Sequence, residues 1–274
     1  MHVGLLQLSA VAYLIAAITL GAQVVRPQRL LIRIGAIALG AGFGMHAAAI
    51  FVRYRQLGVL PVTTFYEGLS FLAWLTVGIY IAVGARYRLT AIGAIVSPLA
   101  FVLTVAAALP DQGTETVPPM LRSPWLPVHV TLAFLGNAVF AFAFAISVVY
   151  LLQEYQLKSR RSGWLIRRLP SLEQLDRLNY RCLVWGFPLL SLGIVTGAIW
   201  ASNEWGRFWS WEPREVLSLF TWLVYAGLLQ FRLTAGLRGR RAATLTIVGF
   251  TLVVVSYLSV NLLPLPGLHG NFGS

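Results

Sequence analysis

The sequence predicts an all-α fold: a polytopic membrane helix bundle of about eight transmembrane helices with both termini outside. Three observations predict it. Of the 274 residues, 58% are hydrophobic and only 11% are charged, whereas a soluble domain carries roughly 25% charged residues. Several apolar runs approach the roughly 20 residues that cross a bilayer. The basic residues fall mostly between alternate runs. Residues 1–274 therefore form a single integral membrane domain.

Eight apolar runs mark the predicted spans, with helical ends uncertain by a few residues. In chain order they lie at roughly 4–25, 34–52, 66–85, 89–109, 128–152, 182–201, 214–231 and 242–263. The first run has no basic segment before it and no small-residue cleavage site after it. It is therefore expected to be a retained helix and not a signal peptide.

Loop charges set the predicted orientation. With both termini outside, the inner connections hold 16 Lys and Arg residues, and the outer segments hold 5: Arg53, Arg55, Arg122, Arg207 and Arg214. Cytoplasmic loops carry an excess of Lys and Arg, so this orientation is the favoured one. The long basic connector 153–181 then lies inside. Its leucines at spacing three indicate an amphipathic helix on the inner membrane surface: Leu169, Leu172, Leu175 and Leu178.

The composition also excludes two properties. The net charge of +12 is spread over short loops, whereas nucleic-acid binding needs a solvated basic face with interleaved aromatic residues. No nucleic acid is therefore expected as a partner. The single cysteine, Cys182, excludes an intramolecular disulfide and is interpreted as a small packing residue.

An outer tryptophan-rich loop, predicted at 202–213, is the most informative segment. Four tryptophans and a phenylalanine lie together in and beside it: Trp200, Trp205, Phe208, Trp209 and Trp211. One or two such residues would indicate an aromatic belt at the membrane interface. Four of them, with Gly206 and several carboxylates, favour a shelf for a flat, apolar ligand. Haem is one candidate and a quinone is another.

The sequence indicates where the helix of the seventh span begins. Pro213 suits the first helical position, because its missing N–H needs no partner there. Glu212 then occupies the N-cap position, and Glu215 at the third helical position can complete a capping box. The aromatic loop is thus predicted to stand directly above a helix N-terminus.

Three histidines could bind a ligand. His129 lies at the outer start of the fifth span, and His269 lies in the outer tail, so both share a face with the tryptophan loop. Ligation of haem iron by two histidines needs imidazoles from opposite sides, which residues far apart in sequence can supply. His46 lies within the second span, where ionisable residues are rare and often functional. A neutral, hydrogen-bonded histidine and a ligand both remain open for His46.

Three separated motifs resemble one family. Residues 205–215 read W-G-R-F-W-S-W-E-P-R-E and resemble the tryptophan-rich "WWD" signature of haem-handling membrane proteins. Residues 61–74 resemble the P-x-x-N-x-Y-E-S-L-x-F-L-x-W segment of the CcsA-type (ResC-type) subunit of the system II cytochrome c synthase. Residues 260–269 resemble its V-N-x-x-x-x-G-L-H ending. The motifs agree in order from about residue 50 to the C-terminus.

This resemblance implies that the protein takes part in cytochrome c biogenesis. It implies haem b, held as a bound substrate between axial ligands His129 and His269 at the extracytoplasmic side of a bacterial cytoplasmic membrane. It implies delivery of that haem to the C-x-x-C-H site of an apocytochrome c, within a holocytochrome c synthase (haem lyase) complex. A CcsB-type (ResB-type) membrane subunit and a thiol-reducing pathway are the implied partners. The expected haem contacts are Trp200, Trp205, Trp209, Trp211, Glu212, Arg207, Arg214 and His46.

Some positions depart from the family pattern. Glu212 and Arg214 replace the usual Asp and Lys and keep their charges. Gln230 stands where the family commonly carries an intramembrane histidine, so an inner haem-entry site of the usual kind is not expected. Two alternative functions stay open: a haem exporter or chaperone that forms no bond, and a quinone-binding or transport protein whose aromatic loop is an interface belt.

Overall fold

A computed structural model describes the fold for residues 1–26, 28–87, 89–109, 117–159 and 170–262. These ranges contain eight α-helices and one short 3-10 turn, and no β-strand. All eight helices are long and apolar enough to cross a membrane, so the predicted all-α membrane bundle is confirmed. The helices are α1 His2–Val25, α2 Arg29–Leu57, α3 Phe65–Gly84, α4 Thr90–Ala108, α5 Trp125–Lys158, α6 Leu172–Trp205, α7 Pro213–Thr234 and α8 Gly239–Leu262, with the 3-10 turn at Pro119–Arg122.

Local sequence signals set several helix ends. The Thr64 side chain caps α3 by accepting a hydrogen bond from the Glu67 N–H at 3.2 Å. The Ser171 side chain caps α6 through the Gln174 N–H, also at 3.2 Å. Both caps satisfy a backbone donor that the first helical turn leaves open. At its C-terminus α2 ends on Gly58, whose φ of 72° lies in the left-handed region that glycine tolerates best.

The two longest helices, α5 and α6, extend well beyond the hydrocarbon core and beyond their predicted spans. α5 and α6 have 34 residues each, about 51 Å, whereas the hydrocarbon core is about 30 Å thick. The apolar run in the sequence marks only the part of each helix that lies in hydrocarbon. Beyond it, ion pairs between residues one helical turn apart extend the helix into the polar zone of the membrane. These pairs are Glu154–Lys158 at 2.8 Å and Glu173–Arg177 at 3.1 Å.

The inner connector differs from its interpretation as a surface-lying amphipathic helix. Its part from Leu172 onward is the beginning of α6 and runs directly into the bundle. Leu175 is fully buried and Leu178 is 5% exposed, because both side chains pack into the core cluster shared with α4 and α5. The leucine spacing therefore marked a helix face that packs on protein and not on lipid. Leu169 lies outside the described residues.

Glycines bring α5 and α6 close together. A Cβ on Gly136 of α5 would lie 2.9 Å from the Leu190 backbone nitrogen of α6. A Cβ on Gly193 of α6 would lie 3.0 Å from Ala133 of α5. Lipid is as apolar as a helix surface, so close van der Waals packing at small residues is what favours association in a bilayer. This helix pair supports the candidate site at one end.

Because each helix crosses the bilayer once, the helix ends alternate between two sides. We call the side with residues 58–64 and 206–212 the tryptophan end, and the opposite side, with residues 85–87 and 235–238, the basic end. At the basic end, a buried Arg232 ties α7 to α6. Its guanidinium donates to the Asp176 carboxylate and to the Asn179 side-chain oxygen, both at 2.9 Å. Asp176 also accepts from the Gly239 N–H at 3.0 Å, which adds α8.

Candidate functional site

The tryptophan loop, residues 206–212, is short and is held by hydrogen bonds at both ends. α6 ends at Trp205, and Gly206, with φ of 69°, closes the helix through a hydrogen bond to the Ser202 carbonyl at 2.9 Å. α7 begins at Pro213 with Glu212 as N-cap, and the predicted capping box with Glu215 is present. The Glu215 carboxylate also accepts from the Ser210 N–H at 2.7 Å. Residues 206–212 are therefore held above the start of α7.

The aromatic rings of this region divide into an inner pair and an exposed rim. Trp200 is buried, and its ring meets that of Trp205 edge-on, with centroids 5.0 Å apart. Trp209 meets Trp211 in the same manner at 5.9 Å. Trp211 and Phe208 remain 73% and 64% exposed. Large apolar rings on a fixed loop at the membrane boundary offer a surface to a flat apolar ligand.

Trp211 carries local backbone strain. Its φ of 58° is the one positive value for a non-glycine residue in the described ranges. The left-handed region costs an ordinary L-residue roughly 1–2 kcal/mol, and such residues concentrate at binding sites. The strained backbone turns the most exposed indole of the loop outward.

His129 lies in the second turn of α5, beside the buried tryptophan. Its Nδ1 is 2.7 Å from the Gly193 carbonyl oxygen of α6, and its ring lies nearly parallel to that of Trp200, with centroids 6.2 Å apart. A carbonyl oxygen can only accept, so Nδ1 must carry the hydrogen. In the neutral imidazole Nε2 is then the nitrogen with the lone pair. Metal-binding histidines usually show this arrangement, with the second ring nitrogen donating to a carbonyl.

Gly197 is part of this arrangement, and the sequence interpretation missed it. A Cβ on Gly197 would lie 2.6 Å from Cε1 and 2.7 Å from Nδ1 of His129. The imidazole thus occupies the space that any side chain at position 197 would need. Gly193 and Gly197 stand four residues apart, which is the small-residue spacing of closely packed membrane helices. That spacing is the signal in the sequence that could have identified them.

The arginines at the tryptophan end differ in exposure and in their partners. Arg207 is exposed on the loop. Arg214 is partly buried and lies near Tyr257 of α8 and Glu212. Arg53, which the sequence placed among the outer cations, is buried and donates to Glu67 of α3 at 2.8 Å. Arg53 therefore fixes α2 to α3, whereas Arg207 and Arg214 lie beside the aromatic rings.

Two of the predicted histidines do not join the described site. His269 lies outside the described residues. His46 is fully buried and contacts Ser70 of α3 through Nε2 at 2.7 Å and the Tyr13 hydroxyl of α1 through Nδ1 at 3.3 Å. Through these contacts at both ring nitrogens, His46 links α1, α2 and α3 inside the bundle. Gln230 lies exposed near the basic end of α7.

The comparison with protein families gives a direct match. The family model "Cytochrome C assembly protein" matches residues 62–269. The cytochrome c biogenesis protein CcsA of Chlamydomonas reinhardtii is 34% identical over 245 residues, covering 87% of this chain and 68% of that protein. The CcsA protein of Synechococcus sp. (strain CC9605) is 35% identical, with 82% of each chain covered. That of Guillardia theta is 36% identical, covering 79% and 78%.

Among solved structures, the chain is similar to the cytochrome c haem lyase CcmF. The TM-score is 0.67 at 17% sequence identity, which shows a shared fold. The similarity covers 98% of this chain and 47% of the CcmF chain, so this protein spans about half of that larger molecule.

Proposed function

This chain belongs to the CcsA-type family of cytochrome c biogenesis proteins, and from that premise we propose that it binds haem at the tryptophan end and presents it to an apocytochrome c for covalent attachment. One observation supports this proposal most directly. The His129 imidazole is held against the Gly193 carbonyl at 2.7 Å, within the region that the family model matches. The bond fixes which ring nitrogen can bind a metal.

The donor set fits a haem better than a bare metal ion. Within the described ranges, no three His, Cys, Asp or Glu side chains converge on a common point. A haem needs only one or two axial ligands from the protein, because the porphyrin supplies the other four. An oriented imidazole beside Trp200 and Trp205 meets that requirement. The second axial ligand is proposed to be His269.

The remaining residues have distinct proposed roles. Phe208 and Trp211 provide the exposed apolar surface for the porphyrin. Arg207 and Arg214 are placed to pair with the haem propionates, because a guanidinium matches carboxylate geometry. Glu212 anchors the loop through the capping box. The protein's contribution is then orientation, which lowers the entropic part of the barrier to attachment.

The partners and location follow from the same proposal. The tryptophan end faces the extracytoplasmic side of the membrane, because the opposite end carries most of the Lys and Arg residues. An apocytochrome c with a C-x-x-C-H site docks there, together with a CcsB-type membrane subunit and a thiol-reducing pathway.

An absorbance spectrum tests haem binding. We expect the purified protein, supplied with haem, to show a Soret band. His129→Ala and His269→Ala should each weaken the band, because each removes an axial ligand. His46→Gln is the control and should keep the band, because His46 lies among α1, α2 and α3. A wild-type protein without a Soret band would instead favour the quinone-binding or transport alternative.

A reconstitution assay tests attachment. The protein, a CcsB-type subunit, reduced apocytochrome and haem are combined, and the thioether product is detected by haem staining after denaturing electrophoresis. We expect a covalent product that is lost with His129→Ala. A complete complex that binds haem and yields no covalent product would support the exporter or chaperone alternative.

A further inference from the structure

We propose that the basic end carries a binding site for an anionic phospholipid headgroup, formed by Arg181 and Arg86 with Trp185 beside them. The site lies where the turn between α3 and α4 meets the beginning of α6. It is independent of the haem site, which stands at the opposite end of the bundle. We call these three residues and Tyr87 the Arg181 site.

The Arg181 guanidinium is held in place. Its Nη1 donates to the hydroxyl of Tyr87, 94 positions away in sequence, at 2.8 Å. Tyr87 is itself packed, because its ring and Cys182 of α6 both border the main core cluster. The turn that carries Tyr87 is tight, since the N–H groups of Arg86 and Tyr87 both bond to the Val83 carbonyl, at 3.0 and 3.2 Å. Arg86 is thereby fixed next to Tyr87 on an exposed surface.

The two arginines carry uncompensated charge. A tyrosine hydroxyl is a neutral acceptor, and neither arginine belongs to any ion pair seen in the described part of the chain. The nearby acids already have basic partners: Glu173 pairs with Arg177, and Asp176 pairs with Arg232. Both positive charges are carried by the same small region around Tyr87, Arg181 through its hydrogen bond to the Tyr87 hydroxyl and Arg86 as its neighbour in the turn. A bound anion would be attracted to both charges.

The site stands at the depth of phospholipid phosphates. The helix rises about 28 Å from Arg181 to Trp200, close to the roughly 30 Å of the hydrocarbon core. With Trp200 at the tryptophan-end boundary, Arg181 lies at the opposite boundary. Trp185 is one turn nearer the bilayer centre and is 70% exposed. Tryptophan favours this zone just below the headgroups.

The surface below the arginines is suited to acyl chains. On α6 the exposed apolar residues continue from Trp185 toward the bilayer centre through Leu192 and Val195, which are 51% and 55% exposed. A phosphate diester bound by guanidinium forks would direct its chains along this face. Basic groups between helices at the cytoplasmic side bind anionic headgroups in other membrane proteins. Continuity with a lipid-facing surface favours a phospholipid over a soluble phosphate.

Thermal unfolding in detergent tests the proposal. Phosphatidylglycerol, phosphatidylcholine or inorganic phosphate is added to the purified protein, and the melting temperature is followed. We expect phosphatidylglycerol to raise the melting temperature and the other two additions to leave it unchanged. The double variant Arg181→Gln, Arg86→Gln should lose most of the rise. The control Arg238→Gln, Arg241→Gln makes the same charge change on exposed residues of the same end and should keep it.

Two further variants keep the test decisive if the double variant folds poorly. Arg181→Lys retains the charge but loses the fork, and Tyr87→Phe removes only the hydroxyl that positions Arg181; both should reduce the rise. Equal loss in the control pair would mean diffuse electrostatic attraction and would overturn the site. A rise with inorganic phosphate alone would reassign it to a soluble anion. Since no haem is added, failure of this proposal leaves the haem proposal untouched, and the reverse also holds.

Discussion

Two glycines of α6 decide how His129 is presented. The Gly193 carbonyl fixes the tautomer, and the absent side chain at Gly197 leaves room for the imidazole. Their effect is to hold one ring nitrogen in a fixed protonation state and direction, which is how the groups behind a metal ligand usually act.

Gly197→Ala should therefore weaken haem binding without removing any proposed ligand. The new methyl group displaces the His129 ring, and we expect roughly a 10-fold loss of haem affinity. Titration of haem into the detergent-solubilised protein, followed at the Soret band, measures it. The matched control is Gly227→Ala in α7, where a Cβ meets nothing within 4 Å. Equal affinities for both variants would mean that the close approach has no consequence for the site.

Among the helices, buried polar contacts set the relative positions of α6, α7 and α8. Arg232 is 3% exposed at its side chain and contacts Asp176 at 2.9 Å, and Asn179 extends the network to Ser147 of α5 at 2.8 Å. A buried charge is tolerated only with a well-placed partner. The position of α7 depends on this network, and so does the position of the tryptophan loop that leads into α7.

Asp176→Ala should destabilise the bundle strongly, because it leaves Arg232 buried without its carboxylate. We expect a loss of about 3–5 kcal/mol in the free energy of unfolding, measured by SDS titration in mixed micelles. The control is Glu173→Ala, three residues earlier on α6. It breaks a pair whose side chains are 76% and 64% exposed, and it should cost about 0–1 kcal/mol. Comparable losses in the two variants would contradict the proposed role of the network.

For the whole molecule, the charge asymmetry between the two ends predicts the orientation in the membrane. Lys and Arg residues concentrate at the basic end, and cytoplasmic loops show this excess. The proposed haem site and the Arg181 site then lie on opposite sides of the bilayer. In the proposed orientation the haem site would face the extracytoplasmic side and the Arg181 site would face the cytoplasm.

Cysteine labelling tests this orientation. In a Cys182→Ala background, Asn203→Cys places a thiol at the tryptophan end and Arg238→Cys places one at the basic end; both positions are exposed. In intact cells, a membrane-impermeant maleimide should label the first variant, and it should label the second only after lysis. The reverse pattern would overturn the orientation, together with the proposed side of haem delivery.

Sequence patterns determined those features that depend on local composition. Apolar length predicted eight helices, because each span must satisfy its own backbone hydrogen bonds in lipid. The capping box at Glu212 and Glu215 was predicted correctly, because a capping residue and its partner stand only three positions apart. The ordered motifs of residues 61–74 and 205–215 predicted the family that the comparisons then showed.

Only the tertiary structure decided the features that join distant residues. The sequence left His46 open between a ligand and a hydrogen-bonded neutral histidine, and only the structure shows its contacts with Tyr13 of α1 and Ser70 of α3. The sequence placed Arg53 among the outer cations, and the structure shows it buried and paired with Glu67 of α3. The spacing of residues in the sequence determines which face of each helix is apolar or lined by small residues. Which faces meet, and therefore which carbonyl orients His129, depends on side-chain packing between helices far apart in the chain.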